Sequence, residues 1–171
     1  FIVSHPFTQS NVFYMGDKVL DLRKPKDFRI WYDFMSDLFD NSTDYHRIYM
    51  YVTKPYKLTF LKFTKTFMTK ELFAEVLKDA YTVTEFPNRD KNVLPKDLKG
   101  WFRQADKKHL MSEEEYAQYL NLPNTVKIYR GVTSLKGAKG LSWTLDLETA
   151  RWFSNRFNPQ VSYVLSAEVP K

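Results

Sequence analysis

The stretch IYRGVTSLKGAKGLSWT, Ile128–Thr144, differs from the rest of the chain and decides how the rest is read. Two short β-branched and aromatic runs, KIYRGV and GLSWT, flank a short loop, with Gly137 inside it and Gly140 at its end. Runs of this kind, bounded by turn residues, predict strands. The first carries Arg130 at its centre with Gly131 beside it, and the second ends in Ser142, Trp143 and Thr144. An arginine inside a strand either snorkels to an edge or pairs with a carboxylate, and its planar fork also suits two phosphate oxygens at once. A glycine beside it leaves the backbone open to close approach by a ligand. Side chains two apart in a strand share a face, so Ser142 and Thr144 place two hydroxyls together, able to hold a sugar or to orient a carboxylate. Each feature alone also fits an ordinary strand with a polar face.

Downstream, LDLETARWFSNRF reads as a short helix with Asp146 as its cap and Thr149 at the third position. Ala150, Phe153 and Phe157 fall on one face and are expected mostly in the core, while Trp152 and Arg156 stand four apart on one side. A ring at Phe153 with a guanidinium at Arg156 could serve an aromatic cation and its phosphate; otherwise they are a core ring and a surface charge. SYVLSAEV then reads as a further strand.

Upstream the pattern is helical. Pro25 to Phe39 carries Phe28, Trp31, Met35 and Leu38 at three- and four-residue steps. Asp33, Asp37, Asp40 and Asp44 follow on another side as an acidic stripe, expected to be a solvated face. Tyr45 to Lys70 reverses the sign: Arg47, Lys54, Lys57, Lys62, Lys65 and Lys70 alternate with aromatics and no acid intervenes. Such a mixture can form a stacking groove for single-stranded nucleic acid, but aromatics turned inward and lysines turned outward is the preferred reading. Thr69 caps a clear helix bearing Leu72, Phe73, Val76, Leu77 and Ala80. EFPNRDKN is a break, Pro95 to His109 a further helix, and Ser112 with Glu115 a capping box for a helix through Leu120. Helices first and strands after give an α+β class. The expected organisation is a helical N-terminal lobe over residues 1–68 and a second part over 69–171 with a mixed or antiparallel β core.

Composition sets bounds on function. The chain has 171 residues, 17% of them aromatic, and no cysteine, which excludes thiolate metal sites and cysteine nucleophiles within it. His5, His46 and His109 are scattered without zinc-ligand spacing. No Walker-type or Rossmann glycine pattern occurs. A net charge of +6 permits phosphate-bearing partners without choosing among them. No apolar run is long enough for a membrane span and no signal peptide is visible, so no membrane association and a cytoplasmic location are expected. Starting at Phe1 rather than Met, the sequence is expected to be a fragment.

In order and spacing, YRG, then SWT, then A-x-x-F-x-x-R resembles the mono-ADP-ribosyltransferases whose signature is Arg, then Ser-Thr-Ser, then Glu-x-Glu, a family of bacterial toxins and phage and mobile-element proteins. The resemblance covers about residues 69–171 and is strongest over Ile128–Phe157. It implies a β core of that family's type and NAD as co-substrate, with no metal. Arg130 would contact the phosphates and ribose of NAD, and Gly131 would clasp the nicotinamide carboxamide through its backbone. Ser142 would prop the catalytic glutamate and the nicotinamide-side ribose. Trp143 replaces the family's middle Thr, and Thr144 keeps the last hydroxyl. Phe153 would pack on nicotinamide and Arg156 would meet the pyrophosphate. More loosely, Tyr81 and Asn88 would line the adenosine end. Nicotinamide would leave through an oxocarbenium-like state, with ADP-ribose passing to a protein or nucleic-acid acceptor.

One departure is plain: no Glu-x-Glu follows Ser142. Glu168 is the only acid after Glu148 and stands too near Ser142. The expectation is that the sequence stops before the catalytic strand, with Glu168 as catalyst the lesser alternative. A degenerate NAD-binding or single-strand-binding module is the second functional reading. A domain that docks a basic partner on its acidic stripe is the third.

Overall fold

The computed structural model describes residues 5–84 and 91–171, and its first element is a hairpin that the helical reading of the N-terminal part did not anticipate. Val12–Met15 (β1) and Lys18–Asp21 (β2) pair antiparallel in the register Met15↔Lys18, joined by Gly16 and Asp17. Gly16 has φ +62°, the left-handed backbone that such a two-residue turn demands and glycine adopts without steric cost. The alternation in VFYM and KVLD around Gly-Asp is the signal that the sequence reading passed over.

The described residues fall into two compact units, divided between Asp106 and Lys107. In the first, Pro25–Asn41 (α1) begins with proline at its first turn and buries Trp31, Met35 and Leu38. With Leu20 of β2 these form a core onto which Phe13, Phe34 and Tyr51 pack. Phe28, expected in that stripe, is instead 45% exposed, with its ring tilted against those of Trp31 and Tyr32. The acidic stripe is solvated: Asp33, Asp37, Asp40 and Asp44 are all exposed, with Arg29 paired to Asp33.

The ambiguous stretch after Asp44 is helical. Asp44 caps Tyr45–Tyr51 (α2) by accepting from the amides of His46 and Arg47. Lys57–Thr64 (α3) follows, with single 3-10 turns before and after it. Thr69 caps Lys70–Val83 (α4) through the amide of Leu72. Leu58 and Leu61 of α3, Ala74, Leu77 and Ala80 of α4, and Leu98 of Pro95–Gln104 (α5) are all fully buried. Each such leucine removed from water stabilises the fold by about 1.5–3 kcal/mol. Helix α5 ends at Gln104 rather than at the expected His109: buried Ala105 takes an extended backbone, and Asp106-Lys107-Lys108 offers nothing apolar to carry the packing on. Residues 68 and 69, where the sequence places a boundary, lie inside this unit, between a 3-10 turn and α4.

In the second unit, Glu113–Leu120 (α6) opens with the predicted capping box, Ser112 Oγ accepting from the Glu115 amide and Glu115 from the Ser112 amide. Thr125–Val132 (β3) and Tyr163–Pro170 (β4) pair antiparallel, Arg130 opposite Leu165 and Lys127 opposite Glu168. Leu147–Asn155 (α7) lies between them in sequence and packs on β3. The α+β class holds, and among the described residues each sheet has only two strands. GLSWT is not the predicted strand. It touches β3 through one isolated bridge, Tyr129↔Thr144, because the chain has just left the 3-10 turn at Leu135–Lys139 and bends at once toward α7.

Candidate functional site

Tyr129 and Thr144 exchange both backbone hydrogen bonds, at 2.7 and 2.9 Å. Peptide groups alternate edges along a strand, so those of Arg130 face β4 and those of Gly131 face the Thr144 edge. The bridge stops at that one pair. The N–H and C=O of Gly131 therefore point to the edge of β3 where ladder pairing with Ser142 does not continue.

Arg130 is half-buried. Its Nε donates to the Gly137 carbonyl at 2.9 Å and its Nη1 to the Ser142 carbonyl. Arg130 and Ser142 are thus brought together, but through the serine's backbone rather than its hydroxyl. The hydroxyl of Thr144 accepts from the Asp146 amide at 3.1 Å, leading into the next helix. Since GLSWT is not a strand, the sharing of one strand face by Ser142 and Thr144 does not arise. Trp143 donates from Nε1 to the Gly140 carbonyl at 3.1 Å.

Gly131 serves a close approach, but that of α7. A Cβ there would stand 2.5 Å from the Ser154 amide nitrogen and 3.1 Å from the Ala150 carbonyl carbon. The helix is aimed by its cap: the Asp146 carboxylate accepts from the hydroxyl and amide of Thr149 and from the Glu148 amide. Those bonds, the Thr149 hydroxyl first, hold the Asp146 carboxyl below the ordinary carboxylate range. Ala150 is buried as expected, but it packs with buried Ser154 rather than with Phe153 and Phe157. Contact with a bare glycine admits only small residues, so the rings turn outward. Phe153 is 49% exposed and Phe157 65%. Trp152 meets Phe153 edge-on at 4.8 Å, and the Arg156 guanidinium lies 5.5 Å from the Trp152 ring and 5.1 Å from that of Phe157.

Successive side chains leave a strand on opposite faces. Arg130 consequently departs from the face of β3 that α7 does not cover, and the Gly131 peptide edge runs between the two. Glu168, opposite Lys127, shares the Gly131 face and stands three pairs along the ladder from Arg130, roughly 10 Å. It is not beside Arg130. Tyr81 belongs to the first unit, in α4, with its ring edge-on to Phe102 at 5.1 Å. Asn88 lies outside the described residues. Sequence reasoning missed the part that Gly137 and Gly140 play around Arg130, although the presence of two glycines in that short loop was the available clue.

The basic, aromatic stretch makes contacts of its own within the first unit. Tyr49 is buried, its hydroxyl donates to Asp79 at 2.6 Å, and Tyr45 and Phe60 pack beside it. The Lys57 ammonium sits 3.4 Å from the Tyr49 ring centre and 3.7 Å from Asp79, while Lys62 reaches the Asn92 carbonyl and Asp97. These lysines and rings answer one another more than they line a groove, although Phe63 and Phe67 remain exposed. No group of three or more metal-ligating side chains occurs among the described residues, and none of their helices is long and apolar enough to cross a membrane.

Compared with known proteins, the chain matches no family model, no curated protein and no solved structure.

Proposed function

We propose that the chain forms the NAD-binding part of a mono-ADP-ribosyltransferase, which cleaves the bond between nicotinamide and ribose and transfers ADP-ribose to a protein or nucleic-acid acceptor. The observation that carries the reading is the meeting of Arg130 with Ser142 beside the peptide edge of Gly131. A fixed guanidinium next to a backbone donor and acceptor can grip a pyrophosphate and a carboxamide together. Phe153 and Arg156 add support, because an exposed ring one turn from an exposed cation is available to a ligand, whereas a core ring would not be.

In this reading NAD supplies the scissile glycosidic bond, already activated by its cationic pyridinium. Arg130 neutralises and orients the pyrophosphate, with Arg156 reaching it from the α7 side of the Gly131 peptide edge. Gly131 aligns the carboxamide, and Phe153 covers the ring and limits water. Ser142 orients the catalytic carboxylate, a part for which Glu168 is poorly placed, opposite Lys127 and three pairs along the ladder from Arg130. The contribution of these residues is positioning and electrostatics.

The test is nicotinamide release from NAD by the full-length protein, beside NAD titration by calorimetry. Heat of binding with release supports the transferase. Heat of binding without release would favour the degenerate NAD-binding module, a reading that the position of Glu168 also suits. Absence of both defeats the proposal.

A further inference from the structure

The partners of Arg130 lie in the loop that follows its own strand. Between Gly137 and Ser142, which accept from its Nε and Nη1, the loop passes Gly140. A Cβ on Gly140 would lie 2.5 Å from the Arg130 Cζ and 3.1 Å from its Nε. The obstacle is no loose side-chain end: the guanidinium is held at two corners, and moving it aside breaks a carbonyl contact. The Gly140 peptide is itself fixed, its N–H donating to the Gly137 carbonyl at 3.1 Å and its carbonyl accepting from Trp143 Nε1 at 3.1 Å. One carbonyl, that of Gly137, thus serves both the arginine and the glycine.

We propose that Gly140 is a positioning residue for Arg130, with the Trp143 indole as its anchor. Glycine there lets the loop close flat against the guanidinium, and the indole keeps it closed, so that the plane of the fork is set before any ligand arrives. This role toward NAD rests on the transferase reading; the clamp itself does not. A prearranged fork loses less freedom on meeting a pyrophosphate than a swinging one.

The experiment follows the Arg130 Nε–H resonance in the nitrogen-15-labelled chain, assigned by its disappearance in Arg130→Lys, together with NAD binding by calorimetry. The expected result is a slowly exchanging Nε–H in the parent chain, shifted and faster-exchanging in Gly140→Ala and, to a smaller extent, in Trp143→Phe. NAD affinity should fall about tenfold or more in Gly140→Ala. Gly100→Ala is the control, because nothing lies within 4 Å of the Cβ it would add, and it should leave the resonance alone. An Nε–H that is unmoved in Gly140→Ala overturns the clamp, and one unmoved in Trp143→Phe overturns the anchor. If the parent chain fails to bind NAD, the transferase reading falls while the resonance still decides the clamp. If NAD binds Gly140→Ala and the parent equally although the resonance has moved, the positioning role is wrong.

Discussion

The Cβ that Gly131 lacks would fall 2.5 Å from the amide nitrogen of Ser154, so α7 rests on β3 backbone against backbone. Neither atom set belongs to a side chain that can rotate away. Gly131→Ala therefore forces the helix off the strand, at a cost of about 2–3 kcal/mol typical of overpacked cores. Urea unfolding of the variant should show that loss, with α7 the segment whose amides gain exchange. Unchanged stability would mean that the helix stands further from β3 than described.

Alkaline pH should weaken the first unit through two phenols. Burial pushes the Tyr45 phenol up to about 12, against an ordinary value near 10. Burial, and then the hydrogen bond to the Asp79 carboxylate, push Tyr49 up as well. Both folded pKa values exceed the unfolded ones, so stability is complete below about pH 10 and is lost as pH rises, since the unfolded chain ionises first. Lys57 acts in the other sense: burial lowers its pKa against the pull of Asp79, so its contribution grows as pH approaches 10.5 and is level beyond. Above that point only the phenols act. Phenolate absorbance should reveal two tyrosines that ionise only with unfolding, and Tyr49→Phe should flatten the alkaline fall. All eleven tyrosines ionising in the folded chain near pH 10 would contradict this.

What was legible in the sequence was whatever local chemistry fixes. The caps at Thr69, Ser112 and Asp146 stand where their side chains predicted, because a cap needs only its own hydroxyl or carboxylate and the next turn's amides. The strands holding Arg130 and Glu168 were also readable from their β-branched content. The orientation of α7 was not. Helical spacing alone favoured Phe153 and Phe157 as core, yet Gly131 on another element admits only Ala150 and Ser154. The same limit hid the ending of GLSWT as a strand, since the attraction of the Gly137 and Ser142 carbonyls for Arg130 is set in space rather than in sequence.

Phe153 offers a sharp separation of stability from binding. Being 49% exposed, it contributes little to the core, so Phe153→Ala should change stability by no more than about 0.5 kcal/mol. Nicotinamide release should nevertheless fall about tenfold or more, as expected for loss of a ring that covers a departing pyridinium. A large loss of stability would return Phe153 to the core, and unimpaired release would remove it from the site.

Arg130 and Ser142 meet through a side chain on one partner and a backbone on the other, which makes their substitutions inequivalent. Arg130→Lys leaves a cation but cannot reach the Gly137 and Ser142 carbonyls with one planar fork, and a point charge cannot take two phosphate oxygens in parallel. NAD affinity or turnover should drop by most of its value, about tenfold at the least. Ser142→Ala keeps the carbonyl that receives Arg130 and removes only the hydroxyl. It should therefore reduce turnover more than binding if that hydroxyl orients the catalytic carboxylate. Equal losses in both would make Ser142 a shaper of the loop alone, and parental turnover in Arg130→Lys would show that the guanidinium staples the loop without touching NAD.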